Sequence, residues 1–265
     1  MSRIAVIAGQ GRLAPAVIAA LDDPLVYALD GFAPDVAATP FRLERLVPFL
    51  DSLIEAGVER VVFAGAIRRP RLDPEAFDPR TAQLVPRILG AMQSGDDAAL
   101  REVLKVFEEN DLTICGVDEV IPDLIPSEGV LAGTVSDADR RDADRAAAIL
   151  TGLGPFDIGQ GAVVAQGLCL AIETLPGTAA MLEFAAAHAG LRPNPNGARG
   201  VFYKAPKPDQ DRRVDLPTIG PDTVTQAAAA GLAGIVWQAG GVILLDRDEV
   251  VRRADAAGLF LWARA

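Results

Sequence analysis

The segment from Tyr203 to Gly220 carries the densest set of side chains that could do chemistry. Within these eighteen residues lie two lysines, two arginines, three aspartates, a glutamine and a threonine. Three prolines exclude a regular helix and stiffen the backbone. Because Lys and Arg neutralise phosphoryl oxygens and a carboxylate can hold Mg²⁺ or orient water, the segment predicts a site for a phosphorylated ligand.

Asp215 is the carboxylate of this segment with the most unusual surroundings. It lies between two apolar residues, Val214 and Leu216, so we expect its side chain to be partly buried. A charge in such a setting tends to have a partner. Asp215 is therefore the first candidate for a metal ligand or for a carboxylate that orients water.

A second candidate site is the glycine turn that follows the first apolar stretch. Gly9, Gly11 and Ala14 match the pattern G-x-G-x-x-A. Gln10 lies between the two glycines, and Asp30 follows about twenty residues later. Such a turn lets a phosphate approach the amides at the start of a helix. Three interpretations stay open: a nicotinamide dinucleotide site, a site for another phosphorylated or sugar ligand, and a turn that only joins strand to helix.

Two further glycine stretches predict a close approach of the backbone to a ligand. Gly65 follows the third apolar strand and precedes paired arginines, the second of which is Arg69. This combination suits a diphosphate, and two solvated arginines are the alternative interpretation. The stretch from Gly159 through Gln160 to Gly161 is typical either of a backbone pressed against a ligand or of a bulge.

Composition and charge exclude several classes of function. The 265 residues carry 25 basic and 36 acidic side chains, and the net charge of −11 argues against nonspecific binding of nucleic acid. His188 is the single histidine, which excludes mechanisms that need two. Cys115 and Cys169 are far apart and form no Cys-x-x-Cys pattern, which argues against a zinc or iron–sulfur site. No signal peptide and no apolar run of roughly 20 residues is evident, so we expect a cytoplasmic protein.

The elements that must position these residues alternate along the chain. Helical patterns separate four apolar stretches of the first half that predict strands, at residues 3–8, 25–29, 60–64 and 112–115. Strands that are apolar throughout predict a parallel sheet covered on both faces. A hairpin is predicted around Gln166 and Gly167. We therefore predict an α/β protein with a parallel-sheet domain over 1–135, a second α/β domain over 136–265, a linker within 121–139 and a ligand cleft between the domains.

The order of these motifs resembles a known bacterial family. From Lys204 to Gly220 the chain reads Lys-Ala-Pro-Lys-Pro-x-Gln-x-x-Arg-Val-Asp-Leu-Pro-Thr-Ile-Gly. This is similar to the signature of the UDP-2,3-diacylglucosamine pyrophosphatases of the type unrelated to calcineurin-like phosphoesterases. The resemblance spans the whole chain, because the N-terminal glycine turn and four further stretches match in order, at 95–97, 157–164, 177–178 and 231–235.

The resemblance implies a fold and a reaction. It implies a Rossmann-like N-terminal domain and a distinct C-terminal domain with the site between them. It also implies Mg²⁺-dependent hydrolysis of UDP-2,3-diacylglucosamine to UMP and 2,3-diacylglucosamine 1-phosphate in lipid A biosynthesis. The substrate is a nucleotide-sugar lipid, so we expect peripheral contact with the inner membrane through that lipid and no nucleic-acid partner. A homodimer is compatible with the sequence.

The resemblance gives one residue a role, and the chemistry of the motifs suggests roles for the others. The family's essential aspartate falls on Asp215, which we expect to ligate Mg²⁺ or to orient water. Lys204, Lys207 and Arg213 are expected to complete the catalytic set by binding the diphosphate. The other residues expected to bind substrate are Gly9, Gln10, Gly11, Gly65, Arg69, Gly159, Gln160, Gly161, Thr178, Gln210 and Thr218.

Four positions depart from the family pattern, namely Ala66, Gln83, Gln166 and Ala179. The family has polar or charged side chains there that differ from these, and we expect the changes to weaken polar contacts rather than to alter the class of reaction. Two alternatives stay open. One is an NAD-dependent oxidoreductase that uses the N-terminal glycine turn and Asp30. The other is a non-catalytic nucleotide-sugar-binding protein.

Overall fold

The computed structural model describes residues 3–67, 70–93, 95–208 and 210–265. Within these residues the strands β1 to β13 are Arg3–Ala8, Leu25–Leu29, Thr39–Phe41, Val58–Ala64, Thr113–Cys115, Gly129–Ala132, Gly161–Ala165, Leu168–Ile172, Val201–Lys204, Thr218–Ile219, Gly234–Gln238, Ile243–Leu244 and Phe260–Arg264. The helices α1 to α10 are Leu13–Ala19, Leu46–Glu55, Pro79–Ala82, Val85–Met92, Asp96–Glu108, Val117–Val120, Asp137–Leu153, Gly177–Ala187, Pro221–Ala229 and Arg247–Ala257.

The chain divides into two compact units. The first runs up to Pro122 and also contains Asp211–Asp215; the second contains Asp123–Gln210 and Leu216–Ala265. The predicted domain boundary follows residue 135, and the predicted linker lies within 121–139. In the structure Gly129–Ala132 is instead strand β6, which pairs antiparallel with β13 at the edge of the second unit's sheet. The ligand cleft expected between the domains stays a prediction.

The first unit is built on a parallel sheet, as the continuous apolar strands predicted. Among its described residues the sheet has five strands in the order β3-β2-β1-β4-β5. In β1 the residues from Ala5 to Ala8 are all buried, which is the pattern of a strand covered on both faces. Helix α2 buries Leu46, Phe49, Leu50 and Leu53, one stripe at helical spacing, against this sheet.

The second unit is built on a mixed sheet. Where it is described, this sheet has six strands in the order β6-β13-β11-β9-β7-β8. The central strands β9, β11 and β13 run parallel, whereas β7 runs antiparallel to β9 and to β8. The predicted hairpin is confirmed, with Gln166 (φ 55°) and Gly167 (φ 77°) forming the turn between β7 and β8. The α/β fold with a parallel-sheet domain and a distinct second domain is thus confirmed.

Among the helices of the described residues, none is both long and apolar enough to cross a bilayer.

Candidate functional site

Lys204 is the last residue of β9, and its side chain is buried. The residue is only 6% exposed because β9 lies inside the sheet between β7 and β11. Its Nζ atom donates a hydrogen bond to Thr178 Oγ1 at 2.8 Å and another to the backbone oxygen of Thr218 at 3.2 Å. The structure therefore brings together three residues that the sequence analysis assigned to the site from distant parts of the chain.

The placement of Lys204 corrects one expectation. The sequence analysis put Tyr203 and Lys204 in a stiff polar loop, but both belong to a buried strand. The strand that begins at Val201 extends as far as Lys204 because the neighbouring strands β7 and β11 pair with it on both sides and hold its backbone extended. The polar loop begins at Ala205.

The start of α8 contributes to the surroundings of this ammonium group. Thr178 is the second residue of α8, after Gly177, and Pro176 occupies the N-cap position. In the described residues no side chain caps this helix end, and its first turn holds no acidic residue. The N-terminus of a helix carries a positive partial charge, so α8 and Lys204 place charge of the same sign in one region. That arrangement favours an anion.

A second polar cluster lies at the start of the loop after β9. Gln210 is 7% exposed, and its Oε1 atom accepts hydrogen bonds from Gln160 Nε2 (2.8 Å) and from the Lys207 backbone N–H (3.0 Å). The Lys207 ammonium group forms an ion pair with Asp157. Three predicted residues thus meet here as well, and Asp157 joins them. Because Lys207 already has a carboxylate partner, its contacts hold the loop in shape.

Gly159 and Gly161 are needed because Glu173 packs against them. A Cβ atom added at Gly159 would lie 2.1 Å from the backbone oxygen of Glu173, and one added at Gly161 would lie 2.6 Å from its Oε2 atom. At Gly161 the ring of Phe202 would be 2.9 Å away. Gly159 therefore makes room for the backbone of Glu173 and Gly161 for its carboxylate, while the predicted approach of these glycines to a ligand stays a prediction.

The N-terminal glycines have a similar explanation. The Gln10 and Ala66 backbones exchange two hydrogen bonds of 2.9 Å, so the loops after β1 and β4 are joined. A Cβ atom on Gly9 would lie 2.6 Å from the carbonyl carbon of Gly65. Gly11 differs: it has a φ of 93° with nothing within 4 Å of an added Cβ. Gly9 and Gly65 therefore serve the packing of one loop on the other, and Gly11 serves the turn. Arg69, predicted to bind the diphosphate, lies outside the described residues.

Arg213 is held by two carboxylates of the first unit. It donates to Asp211 at 3.0 and 2.7 Å, and to Glu108 at 2.5 Å. The hydrogen bond to Asp211 raises the pKa of Arg213 further above its usual range, and the same bond lowers the pKa of Asp211. Arg213 was expected to bind the diphosphate directly. That role stays a prediction, and in the structure the guanidinium group anchors its own segment.

Asp215 is exposed, so the expectation of a partly buried side chain was wrong. Its neighbour Val214 is the residue that turns inward: it is 3% exposed and packs in the core of the first unit with Phe107 and Leu112. Asp215 adopts a left-handed backbone conformation with φ of 54°. Inward-pointing Val214 and the ion pairs of Arg213 explain why Asp211–Asp215 belongs to the first unit although the chain on either side belongs to the second.

The donor chemistry of the site limits how Mg²⁺ could be held. Within the described part of the chain, no three His, Cys, Asp or Glu side chains converge as a metal cage. Mg²⁺ commonly takes only one or two carboxylates and completes its shell with water and phosphate oxygens. The exposed carboxylate of Asp215 fits that arrangement, in which the substrate supplies most of the ligands.

The four departures from the family pattern have separate surroundings. Gln166 retains polar contacts: its Nε2 donates to the Asn194 backbone oxygen at 2.8 Å, and its Oε1 accepts from the Asn194 N–H at 3.0 Å. Ala66 takes part in the bridge to Gln10 through its backbone alone. Gln83 is exposed at the end of α3, and Ala179 is exposed in the first turn of α8.

Sequence reasoning missed four acidic residues that pair with predicted ones or pack against them, namely Glu108, Asp157, Glu173 and Asp211. Asp157 and Asp211 stand inside the motifs that were singled out, so their positions alone could have marked them. Glu108 and Glu173 carry no such signal, since Glu108 lies about a hundred residues before Arg213 and Glu173 stands outside the motifs that were singled out.

These observations define the protein as a two-unit α/β protein whose second unit holds a buried ammonium group at the start of a helix, suited to an anionic ligand. Comparison with known proteins gives the family. The LpxI N-terminal domain matches residues 3–124, and the LpxI C-terminal domain matches residues 127–262. The UDP-2,3-diacylglucosamine pyrophosphatase LpxI of Caulobacter vibrioides is 44% identical over 208 residues, which cover 77% of this chain and 74% of that protein. The chain belongs to the LpxI family.

Proposed function

We propose that this protein hydrolyses the diphosphate of UDP-2,3-diacylglucosamine to UMP and 2,3-diacylglucosamine 1-phosphate, a step of lipid A biosynthesis. The name of the relative from Caulobacter vibrioides supports this reaction. The structural observation that carries the proposal is the buried ammonium group of Lys204, bonded to Thr178 and Thr218.

The electrostatics of this cluster explain why a phosphate would bind there. Desolvating an ammonium group is costly, and placing it by the positive end of α8 adds to the cost. An anionic ligand would offset both terms, because a phosphoryl oxygen can accept a hydrogen bond from the ammonium group and is attracted by the positive end of the helix.

The chemistry is in-line attack of water on a phosphoanhydride. The water oxygen forms a bond to one phosphorus, and the bond from that phosphorus to the bridging oxygen breaks. The bridging oxygen leaves with the second phosphate, and the water releases its protons. Negative charge grows on the phosphoryl oxygens as this happens, and Lys204 is placed to neutralise it.

Asp215 is the residue that we propose to ligate Mg²⁺ or to orient the attacking water. It stands in the same sequence motif as Lys204 and Thr218, which supports the assignment. When bound, Mg²⁺ would lower the charge on the diphosphate and polarise a phosphoryl oxygen. Lys207 and Arg213 act indirectly in this proposal, since their ion pairs fix the loop that bears Gln210 and the segment that bears Asp215.

The lipid nature of the substrate determines where the protein would act. We propose that it works in the cytoplasm at the surface of the inner membrane and reaches the membrane through the acyl chains of the substrate.

The N-terminal glycine turn does not require a dinucleotide ligand to explain it, because the packing of the two loops already explains Gly9 and Gly65.

The test is one assay with two variants. UDP-2,3-diacylglucosamine is incubated with the full chain in Mg²⁺ and in EDTA, and the products are resolved. We expect UMP and the lipid monophosphate in equal amounts, in Mg²⁺ only. Asp215→Asn should lower kcat by at least about 100-fold, whereas Asp35→Asn, at another exposed aspartate of the first unit, should not. No turnover by the parent chain in Mg²⁺ or Mn²⁺, or micromolar binding of NADH, would overturn the proposal.

A further inference from the structure

One carboxylate of the second unit has an oxygen that is buried without a hydrogen-bond partner. The Oε2 atom of Glu173 is inaccessible to solvent, and none of the described residues donates a hydrogen bond to it. Its surroundings include Phe202 and Met181, which are apolar. An acceptor left unsatisfied in this way lowers stability, and such costs are commonly found where a residue is retained for function.

The sheet places Glu173 on the same face as Lys204. Gly161 of β7 pairs with Lys204 on one side, and on the other its backbone oxygen accepts from the Glu173 N–H at 2.8 Å. Residues opposite each other in antiparallel strands point to the same face. Gly161 has no side chain, and the carboxylate of Glu173 extends over it, as the 2.6 Å approach to an added Cβ atom shows. The carboxylate and the ammonium group thus share one face across a glycine.

The neighbours of Glu173 indicate which part of a substrate would lie there. Gly159, which touches Glu173, follows Ile158, and Leu175 is two residues beyond Glu173. The side chains of both are exposed, Leu175 at 96% and Ile158 at 37%. Exposed apolar groups suit the acylated half of the substrate better than the uridine half. The carboxylate itself suits a hydroxyl group, because an ionised carboxylate only accepts hydrogen bonds.

We infer that Glu173 is a specificity-determining residue that accepts a hydrogen bond from a free hydroxyl of the glucosamine ring, next to the phosphate bound at Lys204. The inference rests on the proposed function. The sp³ torsions of a glutamate side chain have several staggered rotamers, so the whole carboxylate can swing out of its apolar surroundings toward a ligand. A bound hydroxyl would then donate a hydrogen bond to the unsatisfied oxygen, so a substrate with this hydroxyl would bind more strongly than one without it.

The experiment combines variants with substrate analogues. Glu173→Gln and Glu173→Ala are assayed on UDP-2,3-diacylglucosamine and on analogues that lack either the 4-hydroxyl or the 6-hydroxyl of glucosamine. We expect Glu173→Gln to lower kcat/KM by about tenfold and Glu173→Ala by up to about 100-fold, without a lower midpoint of thermal unfolding. The matched control is Glu183→Gln, at an exposed glutamate of α8, which should leave kcat/KM unchanged.

The decisive readout is the coupling between residue and hydroxyl. One of the two deoxy analogues should cost the parent enzyme about tenfold in kcat/KM and should cost Glu173→Gln nothing further. The assignment would be refuted if the loss of kcat/KM from the variant and the loss from each deoxy analogue were independent and multiplied. It would also be refuted if the variant were coupled to a 2′-deoxyuridine analogue instead. If the variants do not fold, the parent enzyme still decides. The assignment of Glu173 is refuted if the parent enzyme hydrolyses both deoxy analogues as well as it hydrolyses UDP-2,3-diacylglucosamine. If the role of Glu173 is refuted but the parent chain hydrolyses UDP-2,3-diacylglucosamine, the proposed function still holds.

Discussion

Replacing Lys204 by methionine separates the stability of the protein from its chemistry. Methionine keeps the length and most of the volume of the lysine side chain but removes its charge and its donors. The variant loses hydrogen bonds of 2.8 Å to Thr178 and of 3.2 Å to Thr218. Everything else in the surroundings of a residue that is 6% exposed stays in place, so the substitution tests the ammonium group itself.

The structure allows the effect on folding to be estimated. Two hydrogen bonds from a charged donor contribute about 3 to 6 kcal/mol in total. Desolvation of an ammonium group costs several kcal/mol, and replacing a buried charge by an apolar group of similar volume is often neutral or stabilising. Because these terms nearly cancel, we expect Lys204→Met to change the free energy of unfolding by no more than about 2 kcal/mol in either direction.

The effect on activity should be much larger. A fixed donor or cation that meets charge developing in the transition state commonly contributes about 3 to 4 kcal/mol, which is a factor of about 100 to 1,000 in kcat. The assay is the initial rate of UMP release from UDP-2,3-diacylglucosamine, measured beside urea unfolding of the same preparation. Lys105→Met, at a lysine on α5 whose side chain is 58% exposed, is the matched control and should affect neither.

Two results would refute this reasoning. If Lys204→Met retained activity within about threefold of the parent, Lys204 would be a structural lysine and not part of the site. If activity fell only in proportion to the loss of folded protein, the ammonium group would be needed for folding alone.

Two further predictions concern the first unit. Gly9→Ala should lower the free energy of unfolding by about 3 kcal/mol or more, because its Cβ would meet the backbone of Gly65 at 2.6 Å. Gly11→Ala, at an open position with positive φ, should lower it by only about 1 to 2 kcal/mol. Urea denaturation measures both values, and the reverse order would contradict the loop-packing explanation. Asp211 has a lowered pKa because Arg213 bonds to it, so its contribution to stability is present above the unfolded pKa of about 3.9 and is lost as the pH falls through the lower folded value. The stability difference between the parent and Asp211→Asn should therefore be constant from about pH 7 to 5 and should shrink in acid; a difference that persists unchanged at about pH 2 would show that the ion pair is not its source.

Much of the architecture could be read from local sequence patterns. The spans of β1 and β2 agree with their apolar stretches, and the turn of the β7–β8 hairpin falls on Gln166 and Gly167 as expected. These features depend on side-chain periodicity and on the turn preferences of neighbouring residues. Each is decided within a few residues of chain, which is why one sequence is sufficient to predict it.

The internal arrangement of the long polar motif from Tyr203 to Gly220 was not predictable from the sequence. Val214 is buried in the core of the first unit and Asp215 beside it is exposed, although both stand in the same apolar and charged surroundings in the sequence. Which of two adjacent side chains faces inward depends on the partner surface, and that surface comes from residues such as Phe107, more than a hundred positions earlier.

The sequence by itself determined the α/β class, the alternating elements and the residue types available for phosphate chemistry, because these follow from composition and local periodicity. Only the tertiary structure decided that Lys204 is a buried strand residue next to Thr178, that Arg213 and Lys207 are occupied by carboxylates, and that Glu173 lies over Gly161. The physical reason is that pairing and burial are properties of contacts between distant segments, and such contacts exist only once the sheets have formed.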